Sequence, residues 1–219
     1  MAEPEPRAAV LARLPGRVFD VFIAGGGING AVSAAALAAR GASVALVDLG
    51  DFGSGTSQES SNLVWGGIKY LESYELGLVR KLCLSRNTLL SELPDLVRET
   101  RFVAPHEPGF RHGAWLMRLG TWFYWLLGSF RTRRPAWHPR RRLATFEPVV
   151  NAALFGGSLE YSDGLLTDGD ARLVMHFIQR AHDFGAACLN YAPLVAASRG
   201  DDGLWACRVR DAGSGVETD

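Results

Sequence analysis

The run Gly25-Gly26-Gly27-Ile28-Asn29-Gly30 constrains this chain more than any other segment, because it suits one local geometry. Gly25, Gly27 and Gly30 stand at the G-x-G-x-x-G positions. The first permits a tight turn, the second lets backbone approach a pyrophosphate, and the third lets a helix pack closely on a strand. The surroundings agree. Residues 18–24 are apolar apart from Asp20, as in a parallel strand covered on both faces. Residues 31–40 place Ala, Leu and Ser at helical spacing, and Gly41 ends them. A second apolar run, residues 43–48, ends in Asp48, 23 positions beyond Gly25. That is close to the roughly 20-residue offset of an acid that binds a ribose 2′-hydroxyl, and an acid there argues for a ribose without a 2′-phosphate. The predicted unit is strand, helix, strand, with a dinucleotide's anion held at the helix N-terminus.

The 219 residues suffice for one large domain or two small ones, and 47% hydrophobic content is ample for a core. Lys plus Arg and Asp plus Glu both total 23, so overall charge predicts no nucleic-acid partner. The balance conceals nine arginines against the single acid Glu107 within residues 101–142. Cys83, Cys188 and Cys207 have no metal-ligand spacing and leave an odd thiol, which suits a reducing cytoplasm. Residues 1–17 carry Glu3, Glu5 and three prolines without the apolar stretch of a secretory signal, and read as a flexible leader with room for one helical turn.

Residues 51–61 form a loop rich in Ser and Thr directly after the ribose acid, a source of hydroxyl and N–H donors for a pyrophosphate and a ribityl chain. Residues 73–93 read as an ordinary amphipathic helix. A further helix, capped by Thr167 or Asp168, ends at Gly185. Residues 187–197 and 204–210 read as strands, and 211–215 as a hairpin turn.

Three stretches together resemble the FAD-dependent glycerol-3-phosphate dehydrogenases: the cradle at residues 25–30, Gly50-Asp-Phe-Gly-Ser-Gly-Thr-Ser57, and Ser60-Ser-Asn-Leu-Val-Trp-Gly-Gly-Ile-Lys-Tyr-Leu-Glu72. The likeness continues through Leu78-Val-Arg80, residues 96–106, Tyr161-x-Asp163-Gly164, Asp168 and Asp170-Ala-Arg-Leu173. It implies an α/β fold: a Rossmann-like FAD-binding domain of the glutathione-reductase and D-amino-acid-oxidase type, with part of an α+β substrate domain. By that likeness the cofactor-binding set is Gly25, Gly26, Gly27, Ile28, Asn29, Gly30, Asp48, Leu49, Thr56 and Ser57, continued towards the flavin by Ser60, Ser61, Leu63, Gly66 and Gly67. Lys69 and Tyr70 would stand near a phosphorylated polyol substrate. Asn62, Trp65 and Lys69 depart from the family's Lys, His and Arg. Trp65 accepts no proton, so any role resting on that imidazole is absent. No general base is assigned among His106, His112, His138, His176 and His182.

Residues 114–130 are aromatic and apolar around Arg118, and Arg131, Arg133, Arg134, Arg140, Arg141 and Arg142 follow. Three readings stay open: a helix lying in a membrane interface with arginines on anionic lipid, a buried helix of the substrate domain, and a span, for which the run falls short of about 20 apolar residues. The interfacial reading fits a peripheral enzyme on the inner face of the cytoplasmic membrane that delivers electrons to quinone.

The boundaries drawn are 1–17 for the leader, 18–100 for the FAD-binding unit, 101–160 for the start of a substrate- and membrane-facing region, and 161–219 for the return to the FAD domain. The family implied is about twice this length, so the chain reads as a truncated N-terminal fragment. The function implied is oxidation of glycerol 3-phosphate to dihydroxyacetone phosphate. The alternatives are a related flavin oxidase for another hydroxy acid or amine, and a catalytically incompetent remnant.

Overall fold

The structure, a computed structural model, describes residues 6–219. It divides into two compact units: the described residues up to Ser61 with Asp168–Asp219, and Asn62–Thr167. The chain runs through α1 (Arg7–Ala12), β1 (Val21–Ala24), α2 (Ile28–Ala38) and β2 (Val44–Val47). It continues with β3 (Leu63–Val64), α3 (Leu76–Glu92), β4 (Val97–His106), α4 (Ala114–Leu127), β5 (Ala136–Pro139), α5 (Arg140–Phe146) and β6 (Gly157–Leu166). It closes with α6 (Asp170–Asp183), β7 (Ala187–Leu189), β8 (Leu194–Arg199), β9 (Trp205–Arg210) and β10 (Glu217–Thr218).

In the first unit β2 lies between β1 and β7, parallel to both, with Val21 opposite Val44 and Ala45 opposite Ala187. Side chains alternate across a strand, so β2 serves two cores. Val44 and Leu46 pack with Ala31, Ala34 and Ala35 of α2 and with Val174 and Ile178 of α6. Ala45 and Val47 pack on the other face with Val10, Leu14, Ala187 and Leu189. All four β2 residues are therefore buried. Full burial of Leu46 or Ile178 contributes about 1.5–3 kcal/mol each.

The leader is not loose where it is described. Val10, 1% exposed, and Leu14 fill the second of those cores, and Arg7 pairs with Asp211 at 2.6 Å. The apolar positions Val10, Leu11 and Leu14 recur at helical spacing, which docks the segment. Residues 1–5 of the leader fall outside the described residues.

Two further expectations need correction. Residues 187–197 are not one strand: β7 joins the parallel sheet, whereas β8 joins the separate antiparallel order β10-β9-β8. Tyr191, at φ +50°, and Pro193 break the run between them. The cap of α6 is neither Thr167 nor Asp168 but Gly169, whose φ of +87° turns the chain into the helix.

In the second unit β6 pairs antiparallel with β4 along its whole length, from Gly157 opposite His106 to Leu166 opposite Val97. Its other side meets β5 and β3. This sheet binds residues 62–167 together, so the compact units divide at 61/62 and 167/168, whereas the sequence boundaries fell after residues 100 and 160. From α3 the buried residues are Val79, Cys83 and Arg86, and from α4 they are Thr121 and Tyr124. Outward, α4 exposes Trp115, Leu119, Trp122 and Leu126. No helix among the described residues is long and apolar enough to cross a membrane.

Candidate dinucleotide site

β1 ends at Ala24, and Gly25 then takes φ +115°, a backbone state that side chains resist. The Gly25 N–H donates to the Val47 carbonyl at 2.8 Å, tying the turn to β2. A Cβ on Gly30 would overlap the Gly25 carbonyl oxygen, and one on Gly26 would lie 2.5 Å from the Phe52 ring. Gly27 is the N-cap of α2, and its carbonyl accepts from Ala31 N–H at 2.9 Å. α2 begins at Ile28, three positions before the periodic alanines announce a helix.

Asp48 follows β2 and reaches back to this turn. Its Oδ2 accepts from Gly26 N–H at 2.5 Å and its Oδ1 from Gly50 N–H at 2.8 Å. Each carboxylate oxygen keeps a further lone pair for a ribose hydroxyl. Ser57 Oγ accepts from Ile28 N–H at 3.0 Å, across the first turn of α2. A cleft of about 640 Å³ opens here, lined by Gly25, Gly27, Gly30, Ile28, Asn29 and Ser57 among others. Bare backbone at a helix N-terminus favours a phosphate, and the adjacent carboxylate suits a ribose, so these residues fit a dinucleotide. Leu49 is 79% exposed, and Thr56 lies on the exposed side of a 3₁₀ turn with Ser57. Ser60 Oγ donates to Asp170 Oδ2 at 2.5 Å, and Ser61 is exposed. All of these belong to the first unit.

Leu63, Gly66, Gly67, Lys69 and Tyr70 belong to the second unit. Leu63 lies in β3 opposite Leu165. Gly66 and Gly67 are buried, and Gly67, at φ +80°, turns the chain into a 3₁₀ segment, Ile68–Leu71, that presents Lys69 and Tyr70 to solvent. A cleft of about 610 Å³ is lined by Trp65, Lys69, Tyr70, Glu72, Arg111 and His112. The Trp65 and Tyr70 rings are 5.8 Å apart, and Arg111 bonds Glu72, holding that carboxyl below its ordinary range. Sequence reasoning missed Arg111 and His112, which stand some forty positions from Lys69.

It also missed two polar clusters in this unit, the first buried and the second half-buried. Arg86 and Tyr124 converge on Asp163, whose carboxyl burial pushes up against the opposing pull of Arg86; burial drives the Tyr124 hydroxyl far above its usual range. Arg101 Nε donates to Glu160 Oε1 at 2.6 Å, and His138 Nε2 lies 2.5 Å from Glu160 Oε2. These partners, Arg101 foremost, hold the Glu160 carboxyl at about 2.

Residues 20–218 match the family described as DAO, FAD dependent oxidoreductase. The chain belongs to that family. The chain is 38% identical over 217 residues to the D-erythritol 1-phosphate dehydrogenase of Brucella abortus (strain 2308), covering 98% of the chain and 39% of that relative. It is 41% identical over 188 residues to the glycerol-3-phosphate dehydrogenase of Pseudomonas aeruginosa, covering 86% and 35%. Against the aerobic glycerol-3-phosphate dehydrogenase of Escherichia coli (strain K12) it is 37% identical over 196 residues, covering 90% and 38%. The chain thus spans less than two fifths of the length of these curated relatives.

Among solved structures, the chain is similar to the glycerol-3-phosphate dehydrogenase from Bacillus halodurans complexed with FAD, with a TM-score of 0.69 at 19% identity, covering 96% of the chain and 34% of that protein. The glycine oxidase from Geobacillus kaustophilus follows at 0.61 and 19%, covering 91% and 52%. The α/β FAD-binding fold read from the sequence is the observed one, and FAD is the cofactor of the family.

Proposed function

We propose that this oxidoreductase oxidises glycerol 3-phosphate to dihydroxyacetone phosphate and delivers the electrons to quinone. The observation that carries the reading is the glycine-rich cradle bonded to Asp48, on a chain whose relatives at 37–41% identity bear that dehydrogenase's name. Bound FAD supplies a two-electron acceptor for oxidation of an alcohol. Gly25 to Gly30, Asp48, Leu49, Thr56 and Ser57 hold its ADP half and pyrophosphate, while Ser60, Ser61, Leu63, Gly66 and Gly67 lead to the ring. Lys69 and Tyr70 orient the phosphorylated polyol, with Lys69 acting as a point charge and not as a bidentate fork.

D-Erythritol 1-phosphate is the second reading for the substrate, favoured by the relative of that name matching 98% of the chain. It presents the same terminal phosphate to Lys69 on a longer polyol. The exposed stripe of α4, with the arginines after it, rests on anionic lipid, which would put the enzyme at the membrane surface where a quinone acceptor lies.

Anaerobic addition of each phosphate to the FAD-loaded protein tests the reading. Bleaching of the visible flavin bands by glycerol 3-phosphate is expected; bleaching by D-erythritol 1-phosphate alone transfers the assignment to the second reading. Bands that survive both compounds rule out a polyol-phosphate dehydrogenase, and protein that stays colourless with excess FAD rules out the flavin site.

A further inference from the structure

The backbone of one residue in the second unit, Gly66, is held from three elements. The Gly66 N–H donates to Asp163 Oδ1 of β6 at 3.2 Å. Its carbonyl lies 3.6 Å from Cys83 Sγ of α3, and a Cβ on its Cα would overlap the Tyr124 hydroxyl of α4. The same Asp163 oxygen accepts from Arg86 at 2.6 Å and from Tyr124 at 2.7 Å, and Arg86 also donates to the Tyr124 oxygen at 3.2 Å. Both charged side chains of the pair are 1% exposed. Among the described residues, Asp163 Oδ2 has no hydrogen-bond partner.

Stability alone is a poor account of this arrangement, because a buried ion pair is often no better than well-packed apolar side chains of the same volume. Its geometry has a more specific consequence. Gly164 pairs with Val64 of β3, so β6 holds the chain at Val64 through the sheet and again at Gly66 through Asp163. The direction in which the backbone leaves β3 is thereby fixed just before Gly67 turns into the segment bearing Lys69 and Tyr70.

We infer that Arg86, Asp163 and Tyr124 are positioning residues that set the Gly66–Gly67 backbone for its contact with the flavin. This rests on the proposed placement of those glycines at the ring. The three side chains touch no reacting atom; they act by fixing the course of the Gly66 backbone, and with it how Gly67 meets the ring and tunes it.

The test compares FAD-loaded wild type with Tyr124→Phe, which removes one hydroxyl and keeps the ring, and with Arg86→Lys, which keeps the charge and loses the fork. Visible absorption, midpoint potential and FAD affinity are recorded at a temperature where circular dichroism shows every variant folded. Leu143→Ala, a cavity in the core of the same unit away from the triad, controls for destabilisation alone. Tyr124→Phe is expected to displace the flavin bands and potential and to raise the FAD dissociation constant about tenfold, the scale of one lost hydrogen bond to a charged group. Arg86→Lys moves the same readouts in the same direction, and Leu143→Ala moves none of them. Coloured wild type with both triad variants spectrally and thermodynamically indistinguishable from it overturns the inference alone. Colourless wild type overturns the flavin reading and the inference with it.

Discussion

Gly30 has no room for a methyl group, because its Cβ would fall on the carbonyl oxygen of Gly25, which is backbone and cannot swing aside. Gly30→Ala should therefore cost about 1–3 kcal/mol of strain and abolish retention of FAD on gel filtration. Gly120→Ala is the contrast: nothing lies within 4 Å of its Cβ, and it sits inside α4. That substitution should stabilise by about 0.5–1 kcal/mol in denaturant titration. Residues such as Gly30 are legible in the sequence because the constraint is local and the spacing short. Arg86 was not, since its partner Asp163 lies 77 positions away. A signal did exist: Arg86 stands with Val79 and Cys83 on the buried face of α3, where a charge among apolar neighbours asks for a partner. Glu160 gives a prediction in pH. Its folded carboxyl titrates at about 2 against an ordinary 4.5, so its contribution is complete above 4.5 and is lost as pH falls towards 2. About 1–2 kcal/mol should disappear across that window after allowance for solvent screening. Thermal midpoints of wild type and Glu160→Gln should converge as pH falls through it; parallel curves would refute the assignment.

Among the elements, α4 shows how far a local pattern reaches. The sequence marks its start at Ala114 and its aromatic content, but a helix of 14 residues rises about 21 Å, short of a hydrocarbon core of about 30 Å. Which side faces inward depends on tertiary contacts, and these bury Thr121 and Tyr124 while leaving Trp115, Leu119, Trp122 and Leu126 outside. If that stripe rests on lipid, Leu119→Glu/Trp122→Glu should stop flotation with vesicles rich in phosphatidylglycerol at low salt. The melting temperature should hardly change, because both positions are exposed. Flotation equal to wild type would remove the membrane contact. Strands β4 and β6 were invisible beforehand for a different reason. Their ten paired positions lie about sixty residues apart, and β4 carries Arg98, Glu99 and Arg101 among its apolar residues, which blurs any alternation.

At the scale of the molecule, the parts assigned to FAD are divided between two units. Gly25 to Ser61 sit in one, while Leu63, Gly66 and Gly67 sit in the other. The sequence gives the order of these segments along the chain but not this division, because β6 returns to β3 and β4 only through long-range pairing. The division makes the two ends of the cofactor separable in a binding experiment. A ligand that binds only the native state stabilises it by about 2.7 kcal/mol at a hundredfold excess over its dissociation constant, which is roughly 5–10 °C in melting temperature at this chain length. FAD should produce such a rise, and ADP, lacking the flavin, should produce a smaller one through the cradle alone. Gly30→Ala should abolish both responses. Tyr124→Phe should leave the ADP response intact and, with a tenfold weaker FAD complex, remove about half of the FAD response at the same FAD concentration. Loss of the ADP response in Tyr124→Phe would mean that the triad supports the cradle's unit as a whole, and an ADP response as large as that of FAD would mean that Gly66 and Gly67 contribute nothing to holding the ring.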